Sequence, residues 1–428
     1  MTEQMNVPKL RFNEFEGNWS KNPLGQFCEH ITYGLTVRPK FVESGIPLIS
    51  AREIKSGTIK YSDAPQISMN DFNSLSDKAK PVAGDLFLSK TGSIGFSAKH
   101  TLSDPIAITQ NIAVIRFIDE DIIEPDYVLH YFKTRYFYCS AISRVNQSTI
   151  MDLQLGDIKK LLLPIPPNFS EQQKIASFLS TVDKKIELLT EKKAKLTEYK
   201  KGVMQQLFNG RFEISEQSTQ DGKITFIPPT LRFKADDGSD FSDWEEKKLG
   251  SLGSFAGGGT PDTKNPECWV GDVPWISSSD VIDDNIFKIE KSRFITRAAI
   301  EGSATKIIPK DSILIVSRVG VGKFVVSTED ICTSQDFSNF TPKELDVIFM
   351  AYNLYFNKHK LESLAQGTSI KGFTTGDLKS MKLGIPSRRE QGKIANFLSA
   401  IDQKIELANS EVEKAKEWKK GLLQQMFV

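Results

Sequence analysis

The strongest constraint on the fold is that the chain repeats itself. Residues 171–208 return as residues 390–427 at an offset of 219 without a gap, and 21 of the 38 aligned positions are identical. A repeat of this kind means that one structural plan is built twice. Weaker echoes precede each copy. Leu10-Arg11-Phe12 returns as Leu231-Arg232-Phe233, Trp19 as Trp244 and Leu24-Gly25 as Leu249-Gly250. Ser89-Lys90-Thr91-Gly92 aligns with Ser317-Arg318-Val319-Gly320, and Ile165-Pro166 with Ile385-Pro386. The two globular halves therefore share a scaffold while most intervening residues differ.

The repeated segments carry a heptad seam. In the first copy Ile175, Leu179, Val182, Ile186, Leu189 and Leu196 follow alternating steps of four and three, continued by Val203 and Leu207. In the second, Ile394, Leu398, Ile401, Ile405, Val412 and Leu422 do the same, with Ala408, Ala415 and Met426 filling the pattern. This is the a/d spacing of a coiled coil. Pro166-Pro167 and Pro386 close the strands before the helices, and Ser170 or Ser387 is placed to cap them. A helix of this length spans ~57 Å. The other copy is the nearest partner, so an intramolecular antiparallel pair is expected.

The globular halves read as mixed α/β, with short runs rich in β-branched and aromatic residues bounded by Gly, Pro, Asn and Asp. Strands are expected near 46–50, 85–89, 106–108, 113–117 and 161–165, with counterparts at 273–276, 312–317, 323–326 and 381–385. Helices are expected at 125–137 and 346–357. Gly257-Gly258-Gly259 reads as a turn, and the polar stretch 211–230 as a linker. The fold class is α+β. Its expected parts are a first domain at 1–170, a helix at 171–210, the linker, a second domain at 231–389 and a helix at 390–428.

Charge does not announce a partner. Lys and Arg total 55 and Asp and Glu 54, a net +1, and no segment is strongly basic. Four scattered cysteines fit a reducing, cytoplasmic setting rather than a disulfide framework. No apolar run approaches the ~20 residues of a membrane span, and no secretory leader is visible at the start. Motifs of catalysis are missing as well. Gly320-Val321-Gly322-Lys323 is followed by Phe324, not by the Ser or Thr of a phosphate loop. The sequence contains no HExxH, no GxSxG and no adenine-methyltransferase motif, and its four histidines are scattered. A binding or scaffold role is favoured, with no cofactor and no metal expected on this chain.

Two halves that each run into L-x-L-P/G-I-P and then E-Q-x-K-I-A-x-F-L-S-x-x-D-x-K-I resemble the specificity subunit of type I restriction–modification systems. The residues carrying the likeness are 161–166, 171–179 and 183–186, with 383–386, 390–398 and 402–405. The resemblance implies two target-recognition domains, related by a pseudo-two-fold and separated by two long antiparallel coiled-coil helices. Each domain would read one part of a bipartite double-stranded DNA target. Two adenine methyltransferase subunits using S-adenosylmethionine would dock on the helices, and restriction subunits using ATP and Mg²⁺ would join them. No membrane partner is implied.

Base-reading candidates are polar residues on loops placed alike in both halves. In the first half these are Lys90, Thr91 and Ser93, then Gln110 and Asn111, then Asn146, Gln147, Ser148 and Thr149. In the second they are Arg318, then Ser334 and Gln335, then Gln366, Thr368, Ser369 and Lys371. Gln and Asn suit adenine, Arg and Lys suit guanine, and Ser and Thr are versatile. Lys40, Lys55, Lys60, Lys288, Lys291 and Arg293 are candidate phosphate contacts. A duplicated protein-binding adaptor is the rival reading, and an enzyme using acidic pairs such as Asp283-Asp284 is a third.

Overall fold

The computed structural model describes residues 6–118, 121–145, 150–214, 224–283, 285–365 and 372–428. The chain forms two compact units, Met1–Glu191 with Ala408–Val428, and Lys192–Leu407. Each unit contains one globular lobe and a stretch of both long helices.

The centre of the first unit is an antiparallel four-stranded sheet in the order Cys28–Tyr33, Ile112–Phe117, Leu86–Ser89, Ser97–Lys99. Its inner strands are apolar except at Ser89 and Arg116, which stand near their ends, because both faces are covered. Leu86, Leu88, Ala113 and Ile115 point into the core that includes the long helices. Phe87, Ile112 and Val114 point into a smaller core with Ile49 and Ile54. A second sheet contains one parallel pairing, Leu48 opposite Ala107 and Ile49 opposite Ile108.

The second unit repeats the main sheet strand for strand, while its second sheet has a different edge strand, Ile307–Ile308 beside Ile331–Thr333, where the first unit has Phe41–Val42 beside Gln66–Ile67. Its main sheet runs Gly253–Gly257, Phe337–Pro342, Ile313–Val316, Phe324–Val326. Ile313 and Ile315 face the helices, and Leu314 and Val316 face the smaller core. The parallel pairing returns as Trp275 opposite Cys332 and Ile276 opposite Thr333. Gly258 is not a simple turn residue. It crosses the end of that parallel strand so closely that a Cβ would lie 2.0 Å from the Ser334 carbonyl, and Gly34 meets the Ile108 carbonyl in the same way at 1.7 Å.

The first long helix is Phe169–Phe208 and the second is Arg388–Met426. In the first unit, Ile175, Leu179 and Val182 of one share a core with Leu422, Met426 and Phe427 at the end of the other. Lys419 pairs with Asp183 there. In the second unit, Val203 and Leu207 share a core with Ile394, Leu398 and Ile401, and Lys200 lies 2.7 Å from Asp402. The two ion pairs are one contact made twice, since Asp402 and Lys419 are the repeat equivalents of Asp183 and Lys200 at the offset of 219. Low residue numbers of one helix meet high numbers of the other in both units, so the pairing is antiparallel. Of the remaining seam, Val412 is buried, and Ile186, Leu189, Leu196 and Ile405 are half-buried.

The repeated Glu-Gln dipeptide clamps each lobe to its helix. Glu171 is fully buried and takes both Nε (2.7 Å) and Nη2 (2.8 Å) of Arg11. Gln172 accepts from the Glu124 backbone N–H and donates to the Ile122 carbonyl. Glu390 binds Arg232 in the same bidentate manner, and Gln391 accepts from the Asp346 N–H. These contacts explain why this stretch is nearly identical in both copies.

Three expectations need correction. The helix expected over 125–137 is two helices, Pro125–Phe132 and Arg135–Ile142, because Thr134 caps the second by accepting from the Phe137 N–H at 3.1 Å. The stretch expected as a linker contains a hairpin of Arg211–Ile214 on Ile224–Ile227, whose Phe212 and Phe226 pack beside Trp244. Ser387 caps the second long helix, but Ser170 lies inside the first turn of the first helix.

Candidate nucleic-acid interface

Backbone hydrogen bonds bring three loops together at one end of the first lobe. Ser89 closes a hairpin with Phe96, and its hydroxyl accepts from the Phe96 N–H at 2.9 Å. Beyond it, the Lys90 N–H donates to the Asn111 carbonyl, the Leu153 N–H to the Lys90 carbonyl and the Gly92 N–H to the Met151 carbonyl. The loops carrying Lys90–Ser93, Gln110–Asn111 and Met151–Asp152 thus form one apex. Gln110 and Ser93 are exposed, and Thr91 and Asn111 are half-buried.

Lys90 does not stand out from this apex. It is 8% exposed, lies 2.8 Å from Asp152, and sits over the Tyr33 ring at 5.9 Å. Thr91 also donates to Asp152. Burial pushes the Asp152 carboxyl up, but the hydrogen bonds from Lys90 and Thr91 outweigh it and hold the group below its ordinary value. The tip is therefore internally neutralised. Exposed Tyr33, Tyr138, Ile150 and Met151 belong to the same loops or lie beside them. None of these is among the sequence candidates: Ile150 and Met151 are apolar residues of a loop with no periodicity to mark them, and Tyr33 and Tyr138 end a strand and sit on a helix whose place beside the tip the sequence does not show. Asn146, Gln147, Ser148 and Thr149 lie outside the described residues.

The second lobe builds the same apex. Ser317 donates through its N–H and its hydroxyl to the Asp336 carbonyl (2.7 and 3.0 Å), and the Phe373 N–H donates to the Ser317 carbonyl. These bonds correct the alignment of the two hairpins. The sequence echo pairs Lys90 with Arg318 at an offset of 228. The strand registers, Leu86 opposite Lys99 and Ile313 opposite Val326, fix the offset at 227. Ser317 thus occupies the place of Lys90, and Arg318 that of Thr91. Val319 occupies the place of Gly92.

The backbone agrees. Gly92 has φ +76° and Val319 φ +48°, while Gly84 at +100° is matched by Asp311 at +62°. A β-branched residue in the left-handed region is strained by ~1–3 kcal/mol. Val319 is nonetheless 57% exposed, so no buried contact offsets that strain.

The facing residue also differs. Thr91 bridges to Asp152, whereas Arg318 bridges to Gly372. Arg318 is exposed, and Gln335 is exposed with its side-chain oxygen accepting from Thr260. Ser334 is buried and bonded to Asp336, so its hydroxyl is committed to the fold. Gln366, Thr368, Ser369 and Lys371 lie outside the described residues, as does Asp284. Among the phosphate candidates, Arg293 stacks 4.5 Å over Trp275 and binds Asp280 and Ser277, and Lys291 pairs with Glu329.

A chain that builds one lobe twice, on stretches of both long helices, and gives each copy its own apex side chains belongs to the class of duplicated recognition scaffolds. Comparison with known proteins names the family. The type I restriction modification DNA specificity domain matches residues 16–198 and again 241–417. The chain belongs to that family, whose role is to give sequence specificity on DNA, and whose subunits are in general non-catalytic.

The putative type I restriction enzyme MjaX specificity subunit of Methanocaldococcus jannaschii is 27% identical over 438 residues, covering 98% of this chain and 95% of the relative. The MjaIX specificity subunit of the same organism is 35% identical over 168 residues, 38% of this chain and 39% of that relative. The crystal structure of a type I restriction–modification S subunit from M. genitalium shares the fold with a TM-score of 0.59 at 17% identity, over 99% of both chains. No described helix is long and apolar enough to cross a membrane. Among the described residues no group of His, Cys, Asp and Glu is placed to hold a metal ion.

Proposed function

We propose that this chain is the DNA-reading subunit of a type I restriction–modification complex, in which each lobe reads one part of a bipartite target in the major groove. The observation that carries this reading is the duplicated apex: one backbone, held by equivalent hydrogen bonds, presenting different side chains in each unit. A constant frame with variable tips suits a protein that reads two different half-sites. The polar tip residues Thr91, Ser93, Gln110, Asn111, Arg318 and Gln335 are the described candidates for base contact.

The long helices set the spacing between the two readings and dock two adenine methyltransferase subunits, with restriction subunits joining them. Leu188 and Leu407 are 53% and 60% exposed, and Tyr199 and Trp418 are 54% and 49% exposed. Both pairs are equivalent at the offset of 219, so each helix offers the same apolar positions, as two copies of one partner would require. S-adenosylmethionine, ATP and Mg²⁺ are held by those partners in the cytoplasm. A net charge of +1 gives this chain little counterion release on DNA. Tight binding is therefore expected of the complex and weak binding of the isolated chain.

The test is co-expression with methyltransferase subunits, followed by mapping of N6-methyladenine in the host DNA. A split methylated motif supports the reading. Inserting four residues after Lys195, ~6 Å of helix, is expected to lengthen the spacer by one or two base pairs. An adaptor would bring neither a methyltransferase nor a methylated motif.

A further inference from the structure

We infer that Arg318 reads a guanine in the half-site taken by the second unit, an assignment that rests on the DNA-reading role proposed above. Arg318 stands at the tip of the hairpin joining Ile313–Val316 to Phe324–Val326. Its base is fixed, because its own N–H and both donors of Ser317 converge on the Asp336 carbonyl. Its side chain is exposed, and among the described residues no carboxylate pairs with the guanidinium. In the first unit the corresponding tip faces Asp152, which takes up the available positive charge.

In the second unit the facing residue is Gly372, and its lack of a side chain leaves room for the arginine stem. A Cβ there would come within 3.3 Å of the Arg318 Cγ and 3.1 Å of the Ser317 carbonyl. A planar donor fork on an anchored tip with no acid beside it matches the O6 and N7 acceptors of guanine. Lys90, buried and paired with its carboxylate, has no such role in the first unit.

The experiment uses the full chain in complex with its methyltransferase subunits, on duplexes bearing the methylated motif of the host. Guanines of the motif are replaced one at a time by 7-deazaguanine, which lacks the N7 acceptor. One replacement is expected to weaken binding about tenfold or more, the scale of a lost bidentate contact. Arg318→Ala should lose a similar factor on the unmodified duplex and show no further loss on that modified one. Arg318→Lys, a single-point donor, should recover only part of the affinity. The assignment is overturned if every replacement is tolerated, or if one half-site has no G·C pair and the other is insensitive to Arg318→Ala. It is also overturned if Arg318→Ala weakens all sequences alike and lowers the salt dependence, as loss of a phosphate contact would. Should Arg318→Ala fail to fold, Arg318→Lys takes its place on the same duplexes, and a loss at every 7-deazaguanine position equal to that of the unaltered chain overturns the assignment. A split motif combined with any overturning result removes the guanine assignment alone, whereas absence of a split motif removes the DNA-reading role beneath it.

Discussion

The two apices have nearly the same backbone and different electrostatics. In the first unit Lys90, Thr91 and Asp152 satisfy one another, and exposed Ile150 and Met151 of the facing loop lie near Tyr33 at a strand end. In the second unit Ser317 replaces the lysine and Gly372 the aspartate, and the charge moves one residue outward to Arg318. Hydrogen bonds made by main-chain atoms do not depend on which side chains the loop carries, so the frame survives while the tip chemistry diverges. The same division holds at the helix ends. Glu171 and Glu390 make matching clamps, but His130 faces Asp183 at 3.9 Å where Tyr352 donates to Asp402 at 2.6 Å.

If the frames are equivalent, their core substitutions should act alike. Phe427 packs against Trp19, Tyr127 and Tyr131, and Phe208 against Trp244, Phe349 and Phe356. Both are almost fully buried. Phe427→Ala and Phe208→Ala should each destabilise the unit that holds the ring by about 3–5 kcal/mol. Hydrogen exchange resolved by unit measures this. A loss confined to one variant would break the equivalence of the frames.

Acid should separate the units. Burial, reinforced by Lys133 and Lys419 and opposed by Asp183 and Asp126, lowers the His130 pKa to about 3. Its unfolded value is about 6.5, so between those values the unfolded chain binds the extra proton. Stability then rises with pH across that window and is lost as pH falls below the unfolded pKa. From pH 7 to pH 5 the first unit should lose about 2 kcal/mol by this route, at ~1.4 kcal/mol per pH unit below 6.5. Tyr352, held far above its ordinary value by burial and by Asp402, contributes no such slope in the second. Exchange measured across this range should show the difference, and His130→Gln should remove most of it, leaving the slope of His100, whose pKa burial also lowers.

What the sequence made legible follows from the same division. The duplication, the heptad seam and the buried strands are periodic or repeated, so they can be read without coordinates. The hairpin containing Phe212 and Phe226 escaped because its polar neighbours dominate the composition while two rings carry its packing. The break at Thr134 escaped because the apolar pattern runs through the cap. At the apex, Ser-Lys-Thr-Gly and Ser-Arg-Val-Gly align best one residue out of register. Only the strand pairing shows that Val319 takes a position glycine would fill. The pairing of Lys90 with Asp152, 62 residues later, is not legible in the sequence, because nothing there places the two together.

That shift supplies the smallest and most pointed test of the comparison. A Cβ on Gly92 would meet nothing within 4 Å, so Gly92→Ala tests backbone conformation alone and should destabilise the first unit by about 1 kcal/mol. Val319→Gly is the reverse change at the equivalent place. It should stabilise the second unit by about 0.5 kcal/mol, the relieved strain being partly cancelled by the entropy of a freer chain when unfolded. If Val319 holds the tip in shape for Arg318, the same substitution should also weaken binding to the half-site of the second unit a few-fold while the first half-site is unaffected. Thermal unfolding and binding to duplexes altered in one half-site read the two effects separately. Loss of stability in Val319→Gly would mean that the valine methyls make a contact that stabilises the tip, and that the two hairpins are not equivalent at this position.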